Sequence, residues 1–293
     1  MVNRIIRVFF KYKILLGIYS LRMKSDHKKR NKEFLITLQS NDNSNIELTQ
    51  SWENFQRKMV KEFESGDLNE FLRFPTIQGT MFFSARQVQF IELKGSRSWN
   101  HFRNAIVENS LGNPPIYKYY PRSSGNLVHH AYSLNKILEV IDIEEFLKLR
   151  SILEFGGGYG SFCRLVSNIG YRNQYTIYDL PVFNKIQKWY LSSVIDSPKI
   201  EFLTDSKLLS TRNPDSFIAL WSLSESPMSL RRTFEPVIRS SKIVLIAFQK
   251  EFHGIDNWLY FNGLVDRGIV KNGTIFEIPS IPNNYYLLGI CRD

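Results

Sequence analysis

Two cysteines, Cys163 and Cys291, are all that 293 residues contain. They are too few for a disulfide framework, and no clustered Cys/His spacing marks a structural zinc site. A reducing setting, the cytoplasm, is therefore expected. Long apolar runs are scarce too. The uncharged stretch from Ile14 to Leu21 falls far short of the roughly 20 residues that cross a bilayer, and no small-residue cleavage site follows it. There is no internal repeat and no low-complexity tract. With 43% hydrophobic and 14% aromatic residues, the composition suits a buried core and excludes a disordered chain.

Acidic residues are scarce in one place only. Residues 1–32 hold ten Lys/Arg and one acid, Asp26, while the remainder carries 28 bases and 27 acids, so the net charge of +10 sits at one end. A balanced body lacks the concentrated basic surface that phosphate neutralisation needs, which argues against nucleic acid as a partner. In the basic segment, Ile5, Ile6, Phe9, Phe10, Leu15 and Ile18 alternate with cations. Two readings stay open: an interfacial helix on an anionic membrane, peripheral at its inner face, or a helix packed on its own domain and followed by a basic linker.

Three regions are expected: the basic amphipathic segment 1–32, a helical region 33–125 and an α/β domain 126–293. In the second, Trp52, Phe55, Met59, Val60 and Phe63 recur at helical spacing behind Ser51, a second run from Ser84 carries Val88, Phe90, Ile91 and Leu93, and the aromatics among them read as core. A third helix is predicted from Trp99 to Leu111, stopping at Gly112, with a turn-rich linker from Asn113 to Gly125. Helical periodicity over His130 to Leu149 then precedes strands at 151–155, 174–179, 199–203, 215–221 and 241–248. Helices between them predict a Rossmann-like, mostly parallel sheet covered on both faces. Gly273 to Ile278 and Tyr285 to Cys291 read as an antiparallel hairpin at its edge.

The chemistry concentrates where strands end. Ser151 to Phe155 runs into Gly156-Gly157-Gly158-Tyr159-Gly160, so Gly156, Gly158 and Gly160 let the backbone turn tightly and approach a ligand at a helix N-terminus. Glu154 lies at the strand's carboxyl end, where open α/β sheets bind ligands. The spacing departs from G-x-G-x-x-G, because the third position is Ser161, and an acid just before the turn would repel a pyrophosphate. It would welcome a cationic amino-acid cofactor. Asp179, ending the next strand, can accept both ribose hydroxyls of an adenosine cofactor, or merely cap the helix at Pro181. Asp205 is placed at the adenine edge or as a cap.

These motifs resemble class I S-adenosylmethionine-dependent methyltransferases and, more narrowly, the sugar O-methyltransferase family of polysaccharide-biosynthesis clusters. The resemblance covers about residues 126–293 and rests on Glu154 through Gly160, Tyr175 through Pro181, Trp189 through Ser192, and Trp221 through Glu225. It implies S-adenosyl-L-methionine held by Glu154, Gly156, Gly158 and Asp179, a sugar or glycan hydroxyl as acceptor, and the helical region as an acceptor cap. A hydroxyl needs a base. His253, after the fifth strand and near Asp256, is the first choice, with His130 and Glu225 next. No residues are assigned to a metal. Competing readings are an RNA or small-molecule methyltransferase, a non-catalytic module that binds the cofactor or anchors a complex at the membrane, and a nicotinamide-dependent oxidoreductase. Deleting residues 1–32 separates tether from packed helix: a tether loses sedimentation with anionic vesicles while cofactor binding persists, whereas a packed helix leaves sedimentation unchanged.

Overall fold

The computed structural model describes residues 28–39, 50–195, 199–209 and 212–291. The chain divides into two compact units, Met1–Asn41 and Asp42–Asp293. In the first, residues 28–39 form a helix, α1. Most of the basic segment expected at 1–32 lies outside the described residues. No described helix is long and apolar enough to cross a membrane.

The second unit begins with four helices, α2 (Gln50–Ser65), α3 (Pro75–Thr80), α4 (Gln87–Gly95) and α5 (Trp99–Ala105), with a 3-10 segment at Leu68–Arg73 before α3. The expected core assignment holds for Phe63 and Phe90, whereas Trp52 is half-buried and Phe55 exposed. The helix predicted to reach Leu111 stops at Ala105 because the next turn is claimed by tertiary contacts. Arg164 donates to Val107 O at 2.7 Å and pairs with the Glu108 carboxylate, which also accepts from Ser124 Oγ at 2.5 Å. Gly112 does take a positive φ of 83°, as a loop residue pressed against Phe71, whose ring would lie 2.4 Å from an added Cβ.

The stretch expected as a linker contains a small antiparallel hairpin, β1 (Ile116–Tyr117) with β2 (Tyr120–Ser124). The long helix expected at 130–149 is two, α6 (Gly125–Leu138) and α7 (Ile143–Leu147). Arg97 breaks it by capping the carbonyl end of α6, bonding Leu138 O at 2.7 and 3.0 Å and Ile141 O at 2.9 Å, so that otherwise orphaned carbonyls are satisfied. The boundary expected at residue 125 falls inside the Asp42–Asp293 unit. Phe71 of the 3-10 segment packs edge-on against Trp189 and Tyr190 of the α/β domain.

The remainder alternates as β3 (Ser151–Phe155), α8 (Ser161–Asn168), β4 (Gln174–Tyr178), α9 (Pro181–Val194), β5 (Ile200–Leu203), β6 (Ser216–Leu220), α10 (Met228–Ser240) and β7 (Ile243–Gln249). A two-residue hairpin follows, β8 (Glu251–Phe252) and β9 (Ile255–Asp256), then α11 (Asn257–Asp266), β10 (Thr274–Glu277) and β11 (Asn284–Ile290). The seven-stranded sheet runs β10-β11-β7-β6-β3-β4-β5. β3 to β7 are mutually parallel, and β11 is antiparallel to both β7 and β10. This is the Rossmann-like α/β fold, with the expected antiparallel hairpin at its edge.

Strand periodicity decides what each face holds. Leu153 and Phe155 join Phe234 and Ile238 of α10 and Phe261 and Leu264 of α11 in one apolar cluster. Glu154 therefore points to the opposite face, where Tyr175 and Gln187 meet it or its turn. The strand order reverses between β3 and β6, so the chain leaves their carboxyl ends toward opposite sides of the sheet, the place where open α/β sheets form a ligand crevice.

Arg164 and Glu108 are both buried, at 4% and 9% side-chain exposure, and their pair ties the loop after α5 to α8. Replacing Arg164 with Ala leaves a buried carboxylate unpaired. A loss of about 3 kcal/mol is expected in urea denaturation; a change within about 0.5 kcal/mol would show that the pair does not hold the two regions together.

Candidate functional site

The turn after β3 is shaped by lack of space. Gly156, Gly158 and Gly160 adopt φ of 75°, 57° and 97°, a region that side chains disfavour. A Cβ on Gly156 would also sit 2.2 Å from Ser222 Cβ. The turn is stitched to β4 by Gly156 N–H donating to Tyr178 O at 2.8 Å, and Ser222 Oγ donates to Phe155 O. Gly156 and Gly158 line a cavity of about 450 Å³ at the carboxyl end of the sheet, whereas Gly160 does not. Gly160 is the N-cap of α8, and its missing side chain makes room for Leu191 of α9, 2.9 Å from where a Cβ would be. Its expected cofactor contact is thus replaced by a packing role.

Two carboxylates face this cavity from adjacent strands. Glu154 is 3% exposed and accepts from Tyr175 OH at 2.8 Å. Burial pushes it up to about 8, opposed by the Tyr175 bond and reinforced by Asp179. Asp179 accepts from Leu180 N–H at 2.8 Å and from Gln187 Nε2 at 2.7 Å, and the same Gln187 nitrogen donates to Gly158 O at 2.9 Å. Burial raises it to about 7 against those bonds. The helix-capping alternative for Asp179 has no support in the geometry, because the N-cap of α9 is Leu180 with no side-chain cap. Asp205 is exposed, accepts from Lys207 N–H at 2.9 Å and lies off the cavity.

The expected acid–base residues divide. His130 and Glu225 line the cavity. Burial lowers His130 to about 4 and raises Glu225 to about 7, the latter opposed by a bond from Gln249. His253 and Asp256 do not line it. The β8–β9 hairpin carries His253 away on its exposed tip, at φ 48°, and Asp256 caps α11 by accepting from Leu259 N–H at 2.8 Å. A short hairpin leaves almost no periodic signal, so sequence proximity to β7 misplaces both residues. Among the described residues, no three His, Cys, Asp or Glu side chains cluster as a metal site.

Sequence reasoning missed part of the cavity wall. Met81 and Phe83 come from the irregular segment after α3 and His129 from α6, and they join Trp221, the first residue of the Trp221–Glu225 motif, at the end of β6. Trp221 holds φ 66°, strained for a bulky residue. Its backbone N–H bonds Ala247 O at 2.8 Å and its indole Nε1 donates to Asn284 Oδ1 at 2.7 Å. The indole stacks on Phe83 at 5.7 Å and 19° and meets His129 at 5.2 Å. No pattern in one sequence marks an aromatic wall built from three separate elements.

No family model matches the chain, nor does any curated protein. Among solved structures it is similar to magnesium protoporphyrin IX methyltransferase from Synechocystis with bound S-adenosylmethionine, at 11% identity over 72% of this chain and 100% of that one, TM-score 0.40. It is also similar to a S-adenosylmethionine-dependent methyltransferase from Aquifex aeolicus, at 16% identity over 52% and 90%, TM-score 0.39. A third is precorrin-6y C5,15-methyltransferase from Geobacter metallireducens, at 13% identity over 59% and 91%, TM-score 0.40.

A carboxyl group raised by burial destabilises the fold as pH rises: the unfolded chain ionises first, and stability falls from the ordinary carboxyl range up to the folded value. For Glu154 that window runs from 4.5 to about 8. Glu154→Gln keeps an acceptor for Tyr175 without the charge. Thermal melts of the ligand-free variant are expected to fall less steeply across this window, with an advantage on the order of 4 kcal/mol above it. Asp179 and Glu225, both raised to about 7, contribute to the slope that remains. Parallel melting curves for variant and wild type would refute the assignment.

Proposed function

We propose that this chain is an S-adenosylmethionine-dependent O-methyltransferase whose acceptor is a sugar hydroxyl, acting in surface polysaccharide or glycoconjugate biosynthesis. The observation that carries the reading is the pair of buried carboxylates, Glu154 and Asp179, flanking a side-chain-free turn on a cavity whose described lining contains no Lys or Arg. Uncompensated carboxylates of this kind favour a cationic ligand and repel the pyrophosphate of a dinucleotide.

The residues present fit that methyl donor. Gly156 and Gly158 allow close backbone approach, Glu154 faces the amino-acid portion, and Asp179 takes the ribose hydroxyls. The donor supplies an electrophilic methyl carbon. The chain's own task is to align the acceptor oxygen and exclude water. Phe83 and Trp221 offer apolar faces to a sugar ring, while His130 and Glu225 put polar atoms in the same wall. The absence of cations among the described lining residues also favours an uncharged acceptor ring over a phosphorylated one.

Calorimetric titration of S-adenosylmethionine and S-adenosylhomocysteine tests this. Wild type is expected to bind at micromolar strength, about 8 kcal/mol, and Asp179→Ala to lose at least about tenfold. Binding should weaken as the pH falls through about 7, where Asp179 takes up its proton. No binding by folded wild type overturns the reading.

A further inference from the structure

Histidines 129 and 130 both border the cavity, yet only one has its ring protonation dictated by a neighbour. The backbone N–H of Arg86 lies 2.9 Å from Gln89 Oε1. A backbone N–H can only donate, so the amide atom facing it must be the oxygen. That oxygen also lies 3.2 Å from His129 Nδ1. With the acceptor role taken by Gln89, Nδ1 must carry the proton, and Nε2 of the neutral ring is left as an unprotonated acceptor.

His129 is 0% exposed, and its Nε2 has no hydrogen-bond partner among the described residues. A buried nitrogen lone pair without a donor is costly, and a hydroxyl donor arriving with a ligand in the adjoining cavity would satisfy it. The ring completes a triangle with Phe83, at 4.7 Å, and Trp221, at 5.2 Å, which themselves stack at 5.7 Å. Trp221 is the strained residue tied down by Asn284 and Ala247, so one wall of the histidine's niche is rigid. The other, Phe83, belongs to the irregular segment after α3. His130, in contrast, rests edge-on against Phe162 at 5.8 Å, and its Nδ1 has no partner that would select a tautomer.

We propose that His129 Nε2 accepts the hydroxyl proton of the methyl acceptor, and that Gln89 is the positioning residue that sets its tautomer. The assignment rests on the methyltransferase reading and names its base. In the step, the acceptor O–H bond breaks with the proton passing to Nε2, and the oxygen forms a bond to the methyl carbon. The carbon–sulfur bond of S-adenosylmethionine breaks with its electron pair going to sulfur, which leaves S-adenosylhomocysteine and an imidazolium that later releases its proton to water. Burial, with His130 and Arg86 nearby, pushes His129 well below its ordinary range, so the ring is neutral and able to accept before the reaction.

The test is a long-range nitrogen–proton NMR correlation of the full chain saturated with S-adenosylhomocysteine at neutral pH, assigned through His129→Asn. The expected result is a neutral His129 ring with Nδ1 protonated. Gln89→Leu should release that tautomer, and Gln89→Glu, which keeps the acceptor oxygen, should restore it. An Nε2-protonated ring or an imidazolium in wild type overturns the proposal. With radiolabelled S-adenosylmethionine and a monosaccharide panel, His129→Asn should cut turnover at least ~100-fold while S-adenosylhomocysteine affinity stays within about twofold. Turnover that survives in this variant also overturns it. Wild type that binds no S-adenosylhomocysteine fails differently, by removing the cofactor reading on which the assignment rests.

Discussion

The turn after β3 has no room for a side chain at Gly156, Gly157 or Gly160, and the arrangement of the cavity depends on it. Gly156 is caught between the Tyr178 carbonyl and Ser222, and Gly160 between the start of α8 and Leu191. Together these contacts bring the ends of β3, β4 and β6 to one place. A single Cβ at Gly156 would force Ser222 away, and with it the chain that leads to Trp221. Left-handed backbone at three glycines within five residues is a conformational constraint that few other residues could meet.

That constraint places two acids in buried positions on a cavity whose described lining contains no Lys or Arg. Glu154 and Asp179 are both held toward the neutral form by burial, each satisfied in part by a single side-chain donor, Tyr175 or Gln187. Such an arrangement weakens the unliganded fold above the ordinary carboxyl range, and a ligand that brings positive charge or hydroxyl donors relieves it. Trp221 adds local backbone strain in the same lining. Both features belong to the lining of one cavity, as expected where stability is sacrificed for recognition.

The parallel strands and the glycine turn were legible because buried, largely apolar strands of five to seven residues and clustered glycines leave a strong local signature. Glu154 and Asp179 were legible as site candidates for the same reason: each ends a strand. His253 and Asp256 were misplaced by the β8–β9 hairpin, and Asp205 turned into solvent to hold a 3-10 turn. The N-terminal helices were recognised by periodicity, but not their boundaries. Arg97 stops α6 and Arg164 claims the turn after α5, each from more than 40 residues away in sequence.

The sequence by itself determined the class of architecture, the position of the glycine turn and the two acids beside it, since backbone permissiveness and strand burial are local properties. Only the tertiary structure decided which polar groups share the cavity with them. His129 is indistinguishable from His130 along the chain, and it acquires a defined tautomer because Gln89, fixed by the Arg86 N–H, reaches it from another helix. Proton placement is set by the partner a nitrogen meets in space, and no spacing within one segment encodes that meeting.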